Sequence, residues 1–245
     1  MFQLQGEGDT HVGNAEDPAA RALSLTATCD LVWFRLGAPE AGQVGFVDGE
    51  LVARLDEEVA LGPPSGAAAG FRADAAAAAA ASLAFGLDPT AVSEGVRSVG
   101  PLPHRGEVVA RAGSIAFIDD SKATNPHAAL AALDGLWGAV LIAGGQSKGV
   151  DLSPLAAATS HLAGVVAMGE AASEIAGLFE ERVPVRKAGS MEEAVGLAFE
   201  LAPSTGTVIL APACASQDMF RDYSDRGERF AAAARELAGE ADLRG

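Results

Sequence analysis

The chain has 245 residues, of which 49% are hydrophobic and 20% charged, and its net charge is −16. This composition is typical of a globular protein with one large or two small domains. The negative charge disfavours nucleic acid and anionic membranes as partners, because both require a positive surface. With no bilayer-spanning apolar run and no basic leader, we expect a cytoplasmic protein. The two cysteines, Cys29 and Cys214, predict neither a disulfide framework nor a zinc site.

The first hundred residues predict a β-hairpin followed by two helices. The Asp48-Gly49 dipeptide lies between two apolar runs and is typical of a tight hairpin turn. Alanine is the best helix former, and it is unbroken from Ala75 to Ala81. The predicted elements are a hairpin over 44–52, a helix over 72–86 and a helix from 88 to about 99.

A segment rich in proline and glycine, 100–103, is interpreted as a linker. It divides the chain into two predicted domains, 1–100 and 101–245.

Beyond the linker, continuous apolar strands alternate with helices of ten or more residues, a pattern typical of a parallel, Rossmann-like sheet. The predicted strands are 114–118, 139–143, 165–169, 183–186 and 207–212, and the predicted helices are 170–181, 191–201 and 218–238. Ligands of such sheets bind beyond the carboxyl ends of the strands. Three polar segments, 119–125, 144–149 and 213–218, each follow a strand, so we expect them to lie along one rim.

The few lysines fall mainly in these polar segments. Of the 17 basic residues only three are lysines, namely Lys122, Lys148 and Lys187. A compact ammonium group on a mobile stem differs chemically from a planar guanidinium, which favours a functional role for Lys122 and Lys148. The alternative is structural: an aspartate of 119–120 would cap a helix, and Ser121 and Thr124 would be turn residues. Spacing alone favours this structural alternative.

Common nucleotide and metal motifs do not occur. A Walker-type phosphate loop requires a Gly-Lys dipeptide, and the chain has none. The glycine-rich segment 144–149 resembles such a loop only loosely. The four histidines are scattered along the sequence and predict no metal cluster, and His104 beside Arg105 is interpreted as a solvated pair.

Four motifs are more specific when they are considered together. They are "PHRGE" (103–107), "DDSKATNPHAAL" (119–130), "IAGGQSKGVDLSPL" (142–155) and "LAPACASQDMFRDYSDRGERF" (210–230). In this order they resemble the carboxy-terminal half of the Mur ligase family, and within it the D-glutamate-adding members. Two upstream stretches, 14–23 and 84–105, look like the end of that family's central ATPase domain. The resemblance implies a Rossmann-like α/β domain with a parallel sheet flanked by helices, preceded by an α/β remnant of the central domain.

The resemblance also implies a reaction, ATP-dependent amide formation in the synthesis of peptidoglycan precursors. In the intact family, ATP and Mg²⁺ phosphorylate a carboxylate of UDP-N-acetylmuramoyl-L-alanine, and the amine of D-glutamate attacks the acyl phosphate. The residues that the resemblance places on D-glutamate or the transferred phosphoryl group are Lys122, Thr124, Lys148, Ser216 and Tyr223. Asp120 and Arg105 resemble the residues that meet the ribose and the phosphates of the nucleotide. Asn125 is predicted to cap the helix that follows it.

Several family features are missing from this sequence. The amino-terminal domain, the phosphate loop and the magnesium ligands have no counterpart, and the family's His-Asn-x-x-Asn pattern is replaced by Gly-Phe-Arg-Ala-Asp at 70–74. We therefore assign no catalytic and no metal residue, and expect no ATPase or ligase activity from this chain alone. The alternative function is a non-catalytic module that binds D-glutamate or nucleotide and acts through a partner chain.

The first domain carries one further expectation. Without the rest of a central domain, its hairpin would expose an apolar face. We expect residues 1–100 either to form a homodimer, in which 44–47 and 51–55 extend a sheet across a two-fold interface, or to be poorly ordered, and we favour the dimer.

Overall fold

The computed structural model describes residues 4–66, 69–100 and 102–242. The chain forms two compact units, residues 1–101 and 102–245. Within the described ranges, no helix is long and apolar enough to cross a membrane.

The described residues of the first unit form a five-stranded sheet with three helices. Its strands are β1 (Thr10–Asn14), β2 (Asp30–Phe34), β3 (Gln43–Val47), β4 (Glu50–Arg54) and β5 (Glu58–Gly62), and its helices are α1 (Pro18–Ser24), α2 (Ala69–Ala84) and α3 (Pro89–Ser98). The strands lie in chain order, β1 to β3 being parallel and β3 to β5 antiparallel. The predicted hairpin is confirmed: Asp48 and Gly49 have φ values of 51° and 87°, as a type I′ turn requires.

The expectation of an exposed apolar face on this hairpin is wrong. Val44 and Leu51 are fully buried, and they belong to one core with Ala76 and Ala80 of α2. The proposed mode of dimerisation is wrong as well. β3 pairs with β2 and β4, and β4 pairs with β3 and β5, so neither hairpin strand has a free edge to offer a second copy.

The second unit confirms the predicted α/β fold with a parallel sheet. Its strands are β6 (Glu107–Ala112), β7 (Ile115–Asp119), β8 (Ala139–Gly144), β9 (Leu162–Met168), β10 (Val185–Ala188) and β11 (Thr207–Leu210). The spatial order is β10-β9-β8-β11-β7-β6, and only β6 runs antiparallel to its neighbour. Sequence reasoning missed β6, an edge strand in which two charged residues flank a short apolar run.

Helices cover both faces of this sheet. Its helices are α4 (Pro126–Leu133), α5 (Ala172–Phe179), α6 (Met191–Leu201) and α7 (Tyr223–Asp242), with a 3₁₀ segment over Ser153–His161. The 3₁₀ segment, α4 and α5 pack on the face that carries Leu141, and α6 and α7 pack on the face that carries Val140. Burial on both faces explains why β8 is apolar throughout. The last helix begins at Tyr223, five residues later than predicted.

The strand order places three carboxyl ends side by side. β11 lies between β8 and β7, although it follows both in sequence. The helix after β7 and the helix after β11 pack on opposite faces of the sheet. Neighbouring strands whose connections diverge in this way leave a crevice at their carboxyl edge, where ligands of such sheets bind.

Candidate functional site

Three loops meet at this carboxyl edge: the β7 loop (120–125), the β8 loop (145–151) and the β11 loop (211–222). The amide of Ala213 donates to the carbonyl of Ala123 at 2.9 Å, which joins the β11 and β7 loops. Gln146 and Ala215 exchange two backbone hydrogen bonds of 2.8 and 3.0 Å, which join the β8 and β11 loops. The polar segments that the sequence predicted on one rim are therefore bonded to one another.

Two glycines allow the β8 loop to pass so close to its neighbours. A Cβ atom on Gly144 would lie 1.9 Å from the carbonyl oxygen of Met168, and one on Gly145 would lie 2.1 Å from that of Ala215. Their φ values of 134° and 122° are also unfavourable for residues with side chains. The Gly-Gly pair thus serves close backbone packing at the rim.

Lys148 and Ser216 lie on the paired β8 and β11 loops. The Lys148 ammonium is exposed and donates to Oε1 of Gln217 at 2.7 Å. Ser216 is buried, and its carbonyl accepts the amides of Met219 and Phe220. The two residues therefore lie on the same side of the unit. Ser216 directly follows Ala215 of the Gln146–Ala215 bridge.

Lys122 lies against Tyr223 at the start of α7. Its Nζ atom is 3.7 Å from the centroid of the Tyr223 ring, within the range of a cation–π interaction. Hydrogen bonds from Ser224 and then Lys122 lower the pKa of the Tyr223 phenol. Thr124 is exposed on the same loop, two residues further on. The predicted cap is confirmed, because the Asn125 side chain accepts the Ala128 amide at 2.9 Å at the start of α4.

Asp120 is half-buried beside two charged neighbours. Burial, and then the charge of Asp119, raise the pKa of the Asp120 carboxyl to about 6, while nearby Arg105 acts in the opposite direction. Arg105 itself is exposed. The two residues assigned to the nucleotide are therefore close enough to interact electrostatically.

His104 has a buried partner, which the sequence did not reveal. Its Nδ1 atom lies 2.7 Å from Oδ2 of Asp119, and the Asp119 side chain is only 1% exposed. The interpretation of His104 and Arg105 as a solvated pair is wrong for His104. Neither aspartate caps α4: Asp119 Oδ1 accepts the Ser121 amide at 2.9 Å, and Asn125 provides the cap.

Arg226 is a buried charged residue at this edge that sequence reasoning missed. It is 1% exposed, and its guanidinium donates to Ser121, Cys214 and Gly144. Burial lowers its pKa to about 10, so it remains protonated at neutral pH. Arg226 lies within the motif at 210–230 that resembles the Mur ligase family. Hydrophobic periodicity, however, cannot identify a charged residue of the core.

The described ranges contain no cluster of three or more His, Cys, Asp or Glu side chains that could hold a metal ion. Cys214 is buried, and burial raises its thiol pKa to about 11, which leaves it protonated and unreactive.

Comparison with known proteins identifies the family. Residues 104–214 match the family model described as "Mur ligase, glutamate ligase domain". Two curated relatives, both named UDP-N-acetylmuramoylalanine–D-glutamate ligase, come from Thermobifida fusca and Streptomyces avermitilis and are 39% and 40% identical. These alignments cover 97% and 91% of this chain but 56% and 52% of the relatives. The chain belongs to the Mur ligase family. It spans about half the length of the curated relatives that it matches.

Solved structures share the fold of this Mur ligase chain at low sequence identity. A MurF ligase from Thermotoga maritima, solved in complex with ADP, aligns with a TM-score of 0.60 at 15% identity, over 96% of this chain and 54% of that one. A bifunctional folylpolyglutamate synthase/dihydrofolate synthase from Yersinia pestis aligns with a TM-score of 0.63 at 19% identity, over 92% and 53%. The Mur ligase family model ends at Cys214, directly before the part of the β11 loop that carries Ser216.

Proposed function

We propose that this chain provides the amino-acid-binding part of a D-glutamate-adding Mur ligase. The observation that carries the proposal is the pairing of the β8 and β11 loops at Gln146 and Ala215, beside the β7 loop that carries Lys122. Together with the Ala213–Ala123 bond, this pairing joins the loops that carry two of the three lysines of a strongly acidic chain. Local ammonium groups are what a dicarboxylate amino acid needs for binding. The names of the relatives in Thermobifida and Streptomyces favour D-glutamate as that amino acid.

Within this proposal, each side chain has a separate role. Lys148 and Ser216 bind the side-chain carboxylate of D-glutamate, with a charge-assisted hydrogen bond from Lys148. Lys122 and Thr124 bind the other carboxylate or the phosphoryl group in transfer, whose charge an ammonium stabilises. Tyr223 lines the pocket and directs Lys122 through the contact of 3.7 Å.

Asp120 and Arg105 are proposed to bind the nucleotide. A partly buried carboxylate can accept hydrogen bonds from ribose hydroxyls, and a guanidinium can bind phosphate oxygens. ATP supplies the phosphoryl group that activates the acid in the intact family. We assign no magnesium ligand to the described residues.

Titration calorimetry of the full chain with D-glutamate tests the binding role. We expect saturable binding, which Lys148→Ala and Ser216→Ala each weaken by about tenfold or more, because each loses a hydrogen bond to a charged group. Lys187→Ala is the matched control, since Lys187 lies on β10 and donates to Ser173. Absence of saturable binding, or an equal loss in the control variant, would contradict the proposal.

A ligase assay tests the activity of the chain by itself. With UDP-N-acetylmuramoyl-L-alanine, D-glutamate and ATP, we expect no amide product, because phosphoryl transfer needs a lysine and backbone amides around the phosphates. The sequence has no Gly-Lys dipeptide to provide them in a Walker-type loop. Phosphate release that depends on D-glutamate would show that this expectation is wrong.

A further inference from the structure

One buried side chain donates hydrogen bonds to the β7 loop, to the β11 loop and to the last residue of β8. Arg226 Nε donates to Ser121 Oγ at 2.9 Å, and Nη2 donates to the Ser121 carbonyl at 2.8 Å. Nη1 donates to the carbonyl of Cys214 at 3.0 Å and, at 3.5 Å, to that of Gly144. Ser121 lies in the β7 loop, Cys214 in the β11 loop, and Gly144 ends β8 directly before its loop.

These contacts lie close in sequence to the proposed ligand-binding side chains. Ser121 directly precedes Lys122, Cys214 lies two residues before Ser216, and Gly144 lies four residues before Lys148. The Ser121 hydroxyl in turn donates to the Tyr223 carbonyl at 2.7 Å, so the network reaches the backbone of the residue whose ring contacts Lys122. Small movements at these anchor points would change the spacing of the rim side chains.

A buried arginine is not the residue that packing alone favours in this position. Buried charged groups are costly to desolvate, and well-packed apolar residues of similar volume often stabilise a core equally or better. A planar guanidinium does offer several hydrogen bonds in a fixed fork, which lysine cannot reproduce. Its partners here are one hydroxyl and three backbone carbonyls, two of them in the site loops and one at the end of β8, so the bonds fix backbone positions.

We propose that Arg226 is a positioning residue, which holds the β7, β8 and β11 loops in the arrangement that binds the amino acid. The identity of the ligand rests on the proposed function, whereas the coupling of the loops does not. The two can therefore be tested separately.

Hydrogen exchange of the intact chain tests the coupling of the loops. Arg226→Lys keeps the charge but loses the fork, and Arg226→Met keeps an apolar volume. We expect the amides of Gly144, Gln146 and Ala213, which bond between loops, to exchange about tenfold faster or more in both variants. The amides of β9 should keep their rates. Arg235→Lys is the matched control, since Arg235 is exposed on the same helix and donates to the Val109 carbonyl.

Uniform acceleration through the loops and β9 would show that Arg226 only stabilises the fold, and unchanged loop rates would also overturn the proposal. If neither arginine variant folds, Ser121→Ala gives the same comparison, because it removes one acceptor and keeps the arginine. Uniform acceleration, or unchanged loop rates, in Ser121→Ala would then overturn the proposal.

A second readout connects the loops to the ligand. Arg226→Lys should weaken D-glutamate binding by about tenfold or more, although every proposed ligand-binding side chain remains. Wild-type affinity in a variant whose loops exchange faster would overturn the positioning role. If the wild-type chain itself does not bind D-glutamate, the proposed function fails, and loop exchange alone decides whether Arg226 couples the loops.

Discussion

Gly227 follows Arg226 in α7, and because it has no side chain there is room beside it for the His104–Asp119 pair. A Cβ atom at this position would lie 2.2 Å from His104 Nδ1 and 2.7 Å from Asp119 Oδ2. The change Gly227→Ala must therefore displace the imidazole from the carboxylate. Gly196 in the middle of α6 is the matched control, because a Cβ atom there meets nothing within 4 Å.

The expected magnitudes have opposite signs at the two glycines. Replacing glycine by alanine inside a helix stabilises it by about 1 kcal/mol. Gly196→Ala should gain this amount. Gly227→Ala gains it too but loses a hydrogen bond to a buried charged group, which costs about 1.5–3 kcal/mol. The net effect at Gly227 is a destabilisation of about 0.5–2 kcal/mol, so the two variants should differ by about 1.5–3 kcal/mol.

Urea unfolding measures this difference in the second unit. The chain has two tryptophans, Trp33 in the first unit and Trp137 in the second, so a Trp33→Phe background makes fluorescence report on the second unit. With a urea dependence of about 2 kcal/mol/M, the midpoints of Gly227→Ala and Gly196→Ala should separate by about 1 M or slightly more.

A double-mutant cycle identifies the cause. When His104→Ala has already removed the ring, Gly227→Ala should lose most of its destabilising effect, since the clash and the hydrogen bond are gone together. Equal stability of Gly227→Ala and Gly196→Ala in the otherwise unchanged chain would refute the argument from steric exclusion.

Three further changes test other parts of the second unit. Asp120→Asn should raise the urea midpoint at pH 7.5 and leave it unchanged near pH 4. The pKa of the Asp120 carboxyl in the folded chain is about 6, above its ordinary value of 3.8. The stability that Asp120 contributes is therefore present below pH 3.8 and is lost as the pH rises through about 6. An Asp120→Asn variant that is more stable only in acid would contradict this sign. Phe117→Ala should cost about 3–5 kcal/mol in urea unfolding, because Phe117 is fully buried between two other phenylalanines. Asn125→Ala should cost about 1 kcal/mol through loss of the α4 cap, and Asn125→Asp, which keeps an acceptor, should restore most of it.

The sequence by itself determined those features that depend on neighbours along the chain. The Asp48-Gly49 turn was predictable because left-handed backbone at two successive residues strongly favours these residue types. β8 was predictable because burial on both faces requires a continuous apolar run. Asn125 was identified as a cap from its place before a helix. The motifs at 119–130 and 210–230 indicated the family before any contact was known.

Only the tertiary structure decided which of these local features come together. The insertion of β11 between β7 and β8 brings residues that are far apart in sequence to one rim, and no periodicity encodes strand order. No sequence pattern shows, either, that β2 and β5 occupy the two edges of the hairpin. Arg226 is a charged residue whose burial is compensated by partners more than 80 residues away at Ser121 and Gly144. The cost of burying the guanidinium is offset only by hydrogen bonds to groups that folding has brought next to it. Those bonds depend on distance in the folded structure and not on separation along the chain.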